Sequence, residues 1–158
     1  MSHIASIVFK PTDLENQPAD QFSRVAMETA GLVAGHGIAG DTKGDSKNRQ
    51  LNIMRSETIT ELHREGYRTS PGELGEQIVI AGLPPDEWIA GATLRLGESA
   101  VVELISLRKG CARFAHIQDR PIQQSEGRIG FMARVVQSGE IAVGSPVEAD
   151  AISANRSG

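Results

Sequence analysis

The chain has 158 residues, a net charge of −4, 17 glycines and a single cysteine, Cys111. That is the length of one ordinary domain, and one cysteine excludes an internal disulfide, a Cys₄ or Cys₂His₂ zinc site and a CxxC redox pair. The acidic balance argues against general nucleic-acid binding, the apolar runs are too short to span a bilayer, and Met1-Ser2-His3-Ile4 lacks the basic, apolar start of a signal peptide, so a cytoplasmic protein is expected.

Ile4 to Phe9 reads as a strand ended by Pro11, and the polar residues 10–23 as a long loop. Residues 25–34 suit a strand or a helix equally. Leu51 to Met54 is a short strand, followed by a helix over 57–65 with Ser56 as N-cap, Ile59 and Leu62 on one face and Gly66 as the stop. The pattern then turns to β. Gln77 to Ile80 is a strand and Pro84-Pro85-Asp86 a turn. Thr93–Leu96 and Ala100–Leu107 form a hairpin, Gly130–Gln137 is extended, and Ser138-Gly139 turns the chain toward Ile141, Val143 and Val147. Strands punctuated by glycine, with one clear helix, predict a mainly β fold, a barrel with a few short helices, over residues 1–148. The small polar residues 149–158 are expected to form a flexible tail.

Gly35-His36-Gly37-Ile38-Ala39-Gly40 matches the dinucleotide fingerprint G-x-G-x-x-G in letters. That motif must open a helix, whose N-terminus carries the pyrophosphate. Here Asp41-Thr42-Lys43-Gly44-Asp45 follows, which is loop composition, and the dinucleotide reading fails. His3, His36, His63 and His116 share no metal-ligand spacing.

Residues 108–134 hold Arg108, Lys109, Arg113, Arg120, Arg128 and Arg134 against Asp119 and Glu126, a local +4 in an acidic chain. The segment reads either as a solvated basic face or as an anion pocket, and it contains Cys111. Cationic neighbours lower a thiol's pKa, and the thiolate is the form that attacks electrophiles, carries a persulfide or binds a soft metal. A buried, inert core thiol is the competing reading.

The glycine-bearing segments fall in a definite order. Gly37-Ile38-Ala39-Gly40-Asp41 precedes Arg49-Gln50-Leu51, then come Gly72-Glu73-Leu74-Gly75-Glu76-Gln77-Ile78 and Leu94-Arg95-Leu96-Gly97. Cys111 follows, then Gly127-Arg128-Ile129-Gly130-Phe131-Met132-Ala133-Arg134-Val135 and Gly139-Glu140-Ile141 with Gly144-Ser145-Pro146-Val147. This succession over about residues 25–148 resembles the MOSC domain, the family named after the C-terminal part of molybdenum cofactor sulfurases, in a small free-standing bacterial form. The resemblance implies a coiled β-barrel with a cleft. It also implies a molybdenum-pterin cofactor and a cysteine, Cys111, that ligates molybdenum or carries sulfur. Arg49, Arg108 and Arg134 are the implied partners of the cofactor phosphate, and Asp41, Gln50 and Glu76 of the pterin. The chain has Thr42-Lys43 where many relatives have histidine, and Lys43 would supply that positive charge. It has Gln77 in place of asparagine, Gly110 in place of proline and Ser145 in place of aspartate.

The resemblance therefore favours an oxidoreductase that reduces N-hydroxylated compounds at a cysteine-ligated molybdenum. Its electrons would come from a separate donor protein, since 158 residues hold no further flavin or iron–sulfur domain. A sulfur carrier with a persulfide on Cys111 is the alternative. It would be fed by a cysteine desulfurase, as no pyridoxal phosphate is expected to be bound by this chain. A non-catalytic anion-binding or interaction module is the third reading. The expected partners are a small-molecule substrate and, through exposed barrel edges, a second copy in a homodimer, with no nucleic acid and no membrane.

Overall fold

The computed structural model describes residues 2–9, 25–40, 50–109 and 112–150. Its strands are β1 (His3–Phe9), β2 (Val25–Met27), β3 (Thr29–Val33), β4 (Gly37–Ile38), β5 (Leu51–Arg55), β6 (Ile78–Ala81), β7 (Thr93–Leu96), β8 (Ala100–Leu107), β9 (Phe131–Gln137), β10 (Gly139–Ala142) and β11 (Val147–Asp150). Two helices interrupt them, α1 (Ser56–Arg64) and α2 (Ala112–Gln118). The mainly β expectation holds. The ambiguous stretch 25–34 resolves into β2 and β3, and β11 runs to Asp150.

Eight strands form one sheet in the order β11-β7-β8-β9-β5-β6-β1-β2, and β10-β3-β4 form a second. The large sheet curls until the start of β1 meets the start of β11. The Ile4 amide donates to the Ser145 carbonyl (2.9 Å), Gly144 to Ile4 (2.8 Å) and Val147 to Ser2 (3.1 Å). These bonds join the two ends of the curled sheet, while β2 pairs with the far end of β1 and packs Met27 against the core. A register shift between Ile4 and Ser6 explains how Ile4 and Ile7, an odd number of residues apart, both enter the barrel core.

All pairings of the large sheet are antiparallel except β5 with β6, which run parallel with α1 as their crossover. This single β–α–β unit explains the unbroken run Leu51-Asn52-Ile53-Met54, because β5 is buried on both faces. Leu51 and Ile53 join the barrel core with Ile4, Ile78, Leu94 and Leu104, all 0% exposed. Met54 faces the other way, into a second core with Leu62, Tyr67, Leu74, Phe114 and Ile129.

Helix α1 ends as predicted and begins differently. Glu65 is its C-cap and Gly66 follows at φ +96°, with the Gly66 amide donating to His63 O and Tyr67 to Leu62 O. That is the Schellman pattern. The N-cap, however, is Arg55 in extended conformation, with no side-chain cap bond, and Ser56 is the first helical residue. Strand β5 feeds into the helix without a turn, so the serine lies one position too late to cap. The segment Gly35–Gly40 opens no helix: Gly37–Ile38 pairs with β3, which removes the dinucleotide reading on structural grounds.

Candidate functional site

Of the motif residues, Glu76, Gln77 and Arg108 lie where β6 begins and β8 ends, and Gln50 lies at the entry of β5. Gln50 is 3% exposed, and its Oε1 accepts from the Val135 amide at 2.8 Å, tying the entry of β5 to β9. Gln77 Oε1 accepts from the Asn52 amide (2.7 Å), while the Asn52 side chain donates to Gly75 O (3.2 Å). These amides replace ladder bonds at an irregular junction, so Gln50 and Gln77 hold the frame of the site.

Glu76 and Arg108 form its buried polar centre, at 2% and 7% exposure. The Glu76 carboxylate accepts from the amides of Gly72 (2.7 Å) and Leu74 (3.2 Å). Burial raises its pKa above the usual carboxylate value; these amides and the Arg108 charge pull it back in part. Arg108 donates to Leu74 O at 2.5 Å, and its guanidinium lies over the Phe114 ring, 5.6 Å from the centroid. The guanidinium rests on Gly75, where a Cβ would come within 2.9 Å of Nη1 and closer still to Nη2. Gly75 at φ +80° is thus glycine for two reasons, conformation and close approach.

Arg108 and Phe114 stand three residues before and three after Cys111. Their contact anchors both ends of the cysteine-bearing segment. Cys111 itself, with Asp41, Lys43 and Arg49, lies outside the described residues.

Arg134 is placed elsewhere. It sits opposite Glu103 in the β8–β9 pairing, and its Nε and Nη2 reach Glu103 Oε1 at 2.9 and 2.7 Å. This is a part-exposed cross-strand ion pair, a type that contributes about 1 kcal/mol or less. Arg134→Gln should therefore lower stability by less than about 1 kcal/mol in urea denaturation. The basic segment as a whole divides in the same manner. Arg128 grips Glu65 with both nitrogens (2.9 and 2.6 Å), and each partner moves the other's pKa toward the charged form. Arg120 lies 4.2 Å over the Tyr67 ring and donates to Glu65 O. The +4 patch is thus largely a set of individually engaged cations.

A cavity of about 200 Å³ opens at the C-terminal ends of β5 and β8. Arg55, Thr58, Trp88, Leu107, Arg128 and Phe131 line it, together with Gly127 and Gly130. Sequence reading missed Arg55 and Trp88. The available signals were an arginine directly ahead of the helix and the chain's single tryptophan after a Pro-Pro turn. Among the described residues no three His, Cys, Asp or Glu side chains converge as a metal site, and no helix is long and apolar enough to cross a membrane.

The MOSC domain profile matches residues 38–148, from β4 to β11. The chain belongs to the MOSC family. No curated protein matches it. Among solved structures it is similar to the YuaD protein from Bacillus subtilis, with a TM-score of 0.73 at 18% identity, covering 94% of this chain and 96% of that one. It is also similar to YiiM from Geobacillus stearothermophilus, with a TM-score of 0.72 at 22% identity, covering 95% and 75%. For YiiM from Escherichia coli the TM-score is 0.65 at 19% identity, covering 92% and 69%. At these identities the likeness is one of fold. The MOSC match takes in the motif succession around the cysteine from Ile38 to Val147.

Proposed function

We propose that this MOSC protein binds a molybdenum-pterin cofactor with Cys111 as metal ligand and reduces N-hydroxylated small molecules in the cytoplasm. The observation that carries the reading is the Arg108–Phe114 contact, which fixes both ends of the cysteine segment within a MOSC frame. A thiolate is a soft donor suited to such a metal. When bound, the cofactor supplies two-electron chemistry: the N–O bond breaks, and two protons and two electrons release the oxygen as water. A separate donor protein provides the electrons.

The chain's own residues divide the work. Arg108 packs on Phe114 and donates to Leu74 O, and Glu76 accepts from the Gly72 and Leu74 amides, so both side chains are committed to backbone and ring partners. Arg134 is committed to Glu103. The phosphate therefore falls to Lys43 and Arg49, and the pterin edge to Asp41, residues that precede Gln50 in the sequence.

The test is metal and oxidised-pterin analysis of protein from a molybdenum-replete host, beside Cys111→Ala. Stoichiometric molybdenum in the wild type and its loss in the variant are expected. A metal-free protein that instead gains a Cys111-dependent persulfide from a cysteine desulfurase would overturn this reading in favour of sulfur transfer. Neither signal would remove both.

A further inference from the structure

Among the described residues, four buried side-chain polar atoms have no hydrogen-bond partner: Asn52 Oδ1, Arg55 Nε, Tyr67 Oη and Trp88 Nε1. Two of these, Arg55 Nε and Trp88 Nε1, belong to residues that line the same cavity. Both side chains are donors only. A buried donor without an acceptor costs free energy, and the cost is larger for a charged group. The polar side chains that border this cavity are therefore rich in donors, the Arg55 guanidinium first among them.

The rest of the lining fixes the character of that molecule. Trp88 (9% exposed) and Phe131 (8%) stack at 6.2 Å between centroids and form one wall. Leu107, half exposed, forms a rim. These surfaces suit a flat or apolar body. The lining also includes Arg55 and Arg128, with Thr58 from the uncapped first turn of α1, where the helix dipole favours negative charge. The facing acids leave Arg55 the more available cation. Glu65 holds Arg128 by two bonds, whereas Glu57 approaches Arg55 only to 4.0 Å. The volume of about 200 Å³ lies below the roughly 300 Å³ at which pockets for drug-sized ligands begin. It fits a single ring with one acidic group.

We infer that this cavity is a binding site for a small organic anion, a carboxylate or phosphate on a single flat or apolar body, with Arg55 as its charge partner and Trp88 as its stacking wall. The inference goes beyond the cysteine chemistry and does not rest on it: the cavity adjoins Arg108 through Leu107 and Gly130, but its charge partner and stacking wall are Arg55 and Trp88.

Trp88 is the chain's single tryptophan, so its fluorescence reports directly on the cavity. Wild-type protein titrated with phenyl phosphate and with benzoate should show saturable quenching. Inorganic phosphate, which lacks the ring, and benzyl alcohol, which lacks the charge, should bind at least about 10-fold more weakly. Arg55→Gln should weaken the anions about 10-fold or more and leave benzyl alcohol unchanged. Cys111→Ser should bind like the wild type, which separates this site from the cofactor reading. Calorimetry on the same proteins guards against quenching without binding. Absence of saturation up to about 10 mM, equal binding of benzyl alcohol, or anion affinity unchanged in Arg55→Gln would each overturn the inference.

Discussion

Replacing Arg108 with methionine should lower folding stability by about 3 kcal/mol, and the loss should grow as pH rises. Methionine fills much of the same volume and stacks on Phe114, but it leaves Leu74 O and the Glu76 carboxylate facing a buried site without a cation. The sign follows from Glu76. Its pKa in the fold is raised above 4.5, chiefly by burial. Its contribution is therefore complete below that pH and is lost as pH climbs through the raised value. Arg108 opposes the rise. Without it the pKa climbs further, and ionising Glu76 costs more. Urea denaturation of wild type and Arg108→Met should show a small gap at pH 4.5 and a wider one at pH 7.5. Adding Glu76→Gln to the variant should flatten that dependence. A gap of constant size across this range would mean that Arg108 acts through packing alone.

Gly130→Ala should be the more damaging of two matched glycine substitutions, by at least about 2 kcal/mol. Gly130 has φ +109°, and an added Cβ would lie 2.8 Å from Ile53 O and 2.9 Å from Met54 Cγ, with Asn52 Oδ1 nearer still. Two of those three atoms belong to β5's backbone and to a buried amide, neither of which can yield cheaply. Gly127, three residues earlier, has φ +79° with nothing within 4 Å of the same Cβ. It isolates the conformational part, about 1 kcal/mol for an L-residue in the left-handed region. The pair measured by urea denaturation separates strain from collision. Equal losses at the two positions would remove the argument from close approach. The consequence also reaches the site, because the Arg108 amide donates to Gly130 O at 2.8 Å.

Local pattern made much of this fold legible. The alternation Ala100, Val102, Leu104 survives as the buried face of β8, and the hairpin with β7 pairs Leu96 with Ala100 around Gly97. The ordered glycines carried the family, since several of them mark places where backbone or side chain approaches too closely for a Cβ. Three things were hidden. The α1 start was misplaced because Arg55 passes from strand to helix without a capping turn. The parallel pairing of β5 and β6 depends on a crossover, and periodicity within either strand does not reveal it. Helix α2 escaped because its short, charged sequence Ala112–Gln118 gains its apolar purpose only where Phe114 meets Met54 and Leu74 across the fold.

The candidate site was legible in type more than in role. Glu76 and Arg108 meet near the start of β6 and the end of β8, whereas Gln50 ties the entry of β5 to β9, and the bonds of all three brace the fold. Whether a polar residue faces a ligand or the backbone depends on partners distant in sequence, as with Glu76 and its neighbouring amides or Arg134 and Glu103. The cavity lies beyond the motifs altogether, assembled from the 85–88 turn, the start of α1 and the 127–131 segment.

The closure of the barrel by Ile4, Ser145 and Val147 also sets an order of assembly. β5, α1 and β6 lie close along the chain and can dock early, whereas the seam between β1 and β11 joins residues from opposite ends of the described sequence. Such pairings form late and slow a domain's folding. On the ribosome, the Ser2–Ile4 end of β1, which β2 does not cover, must wait with that edge unpaired until residues 144–147 emerge. Chaperone capture of that edge, rather than of any apolar helix, is the vulnerability this topology creates.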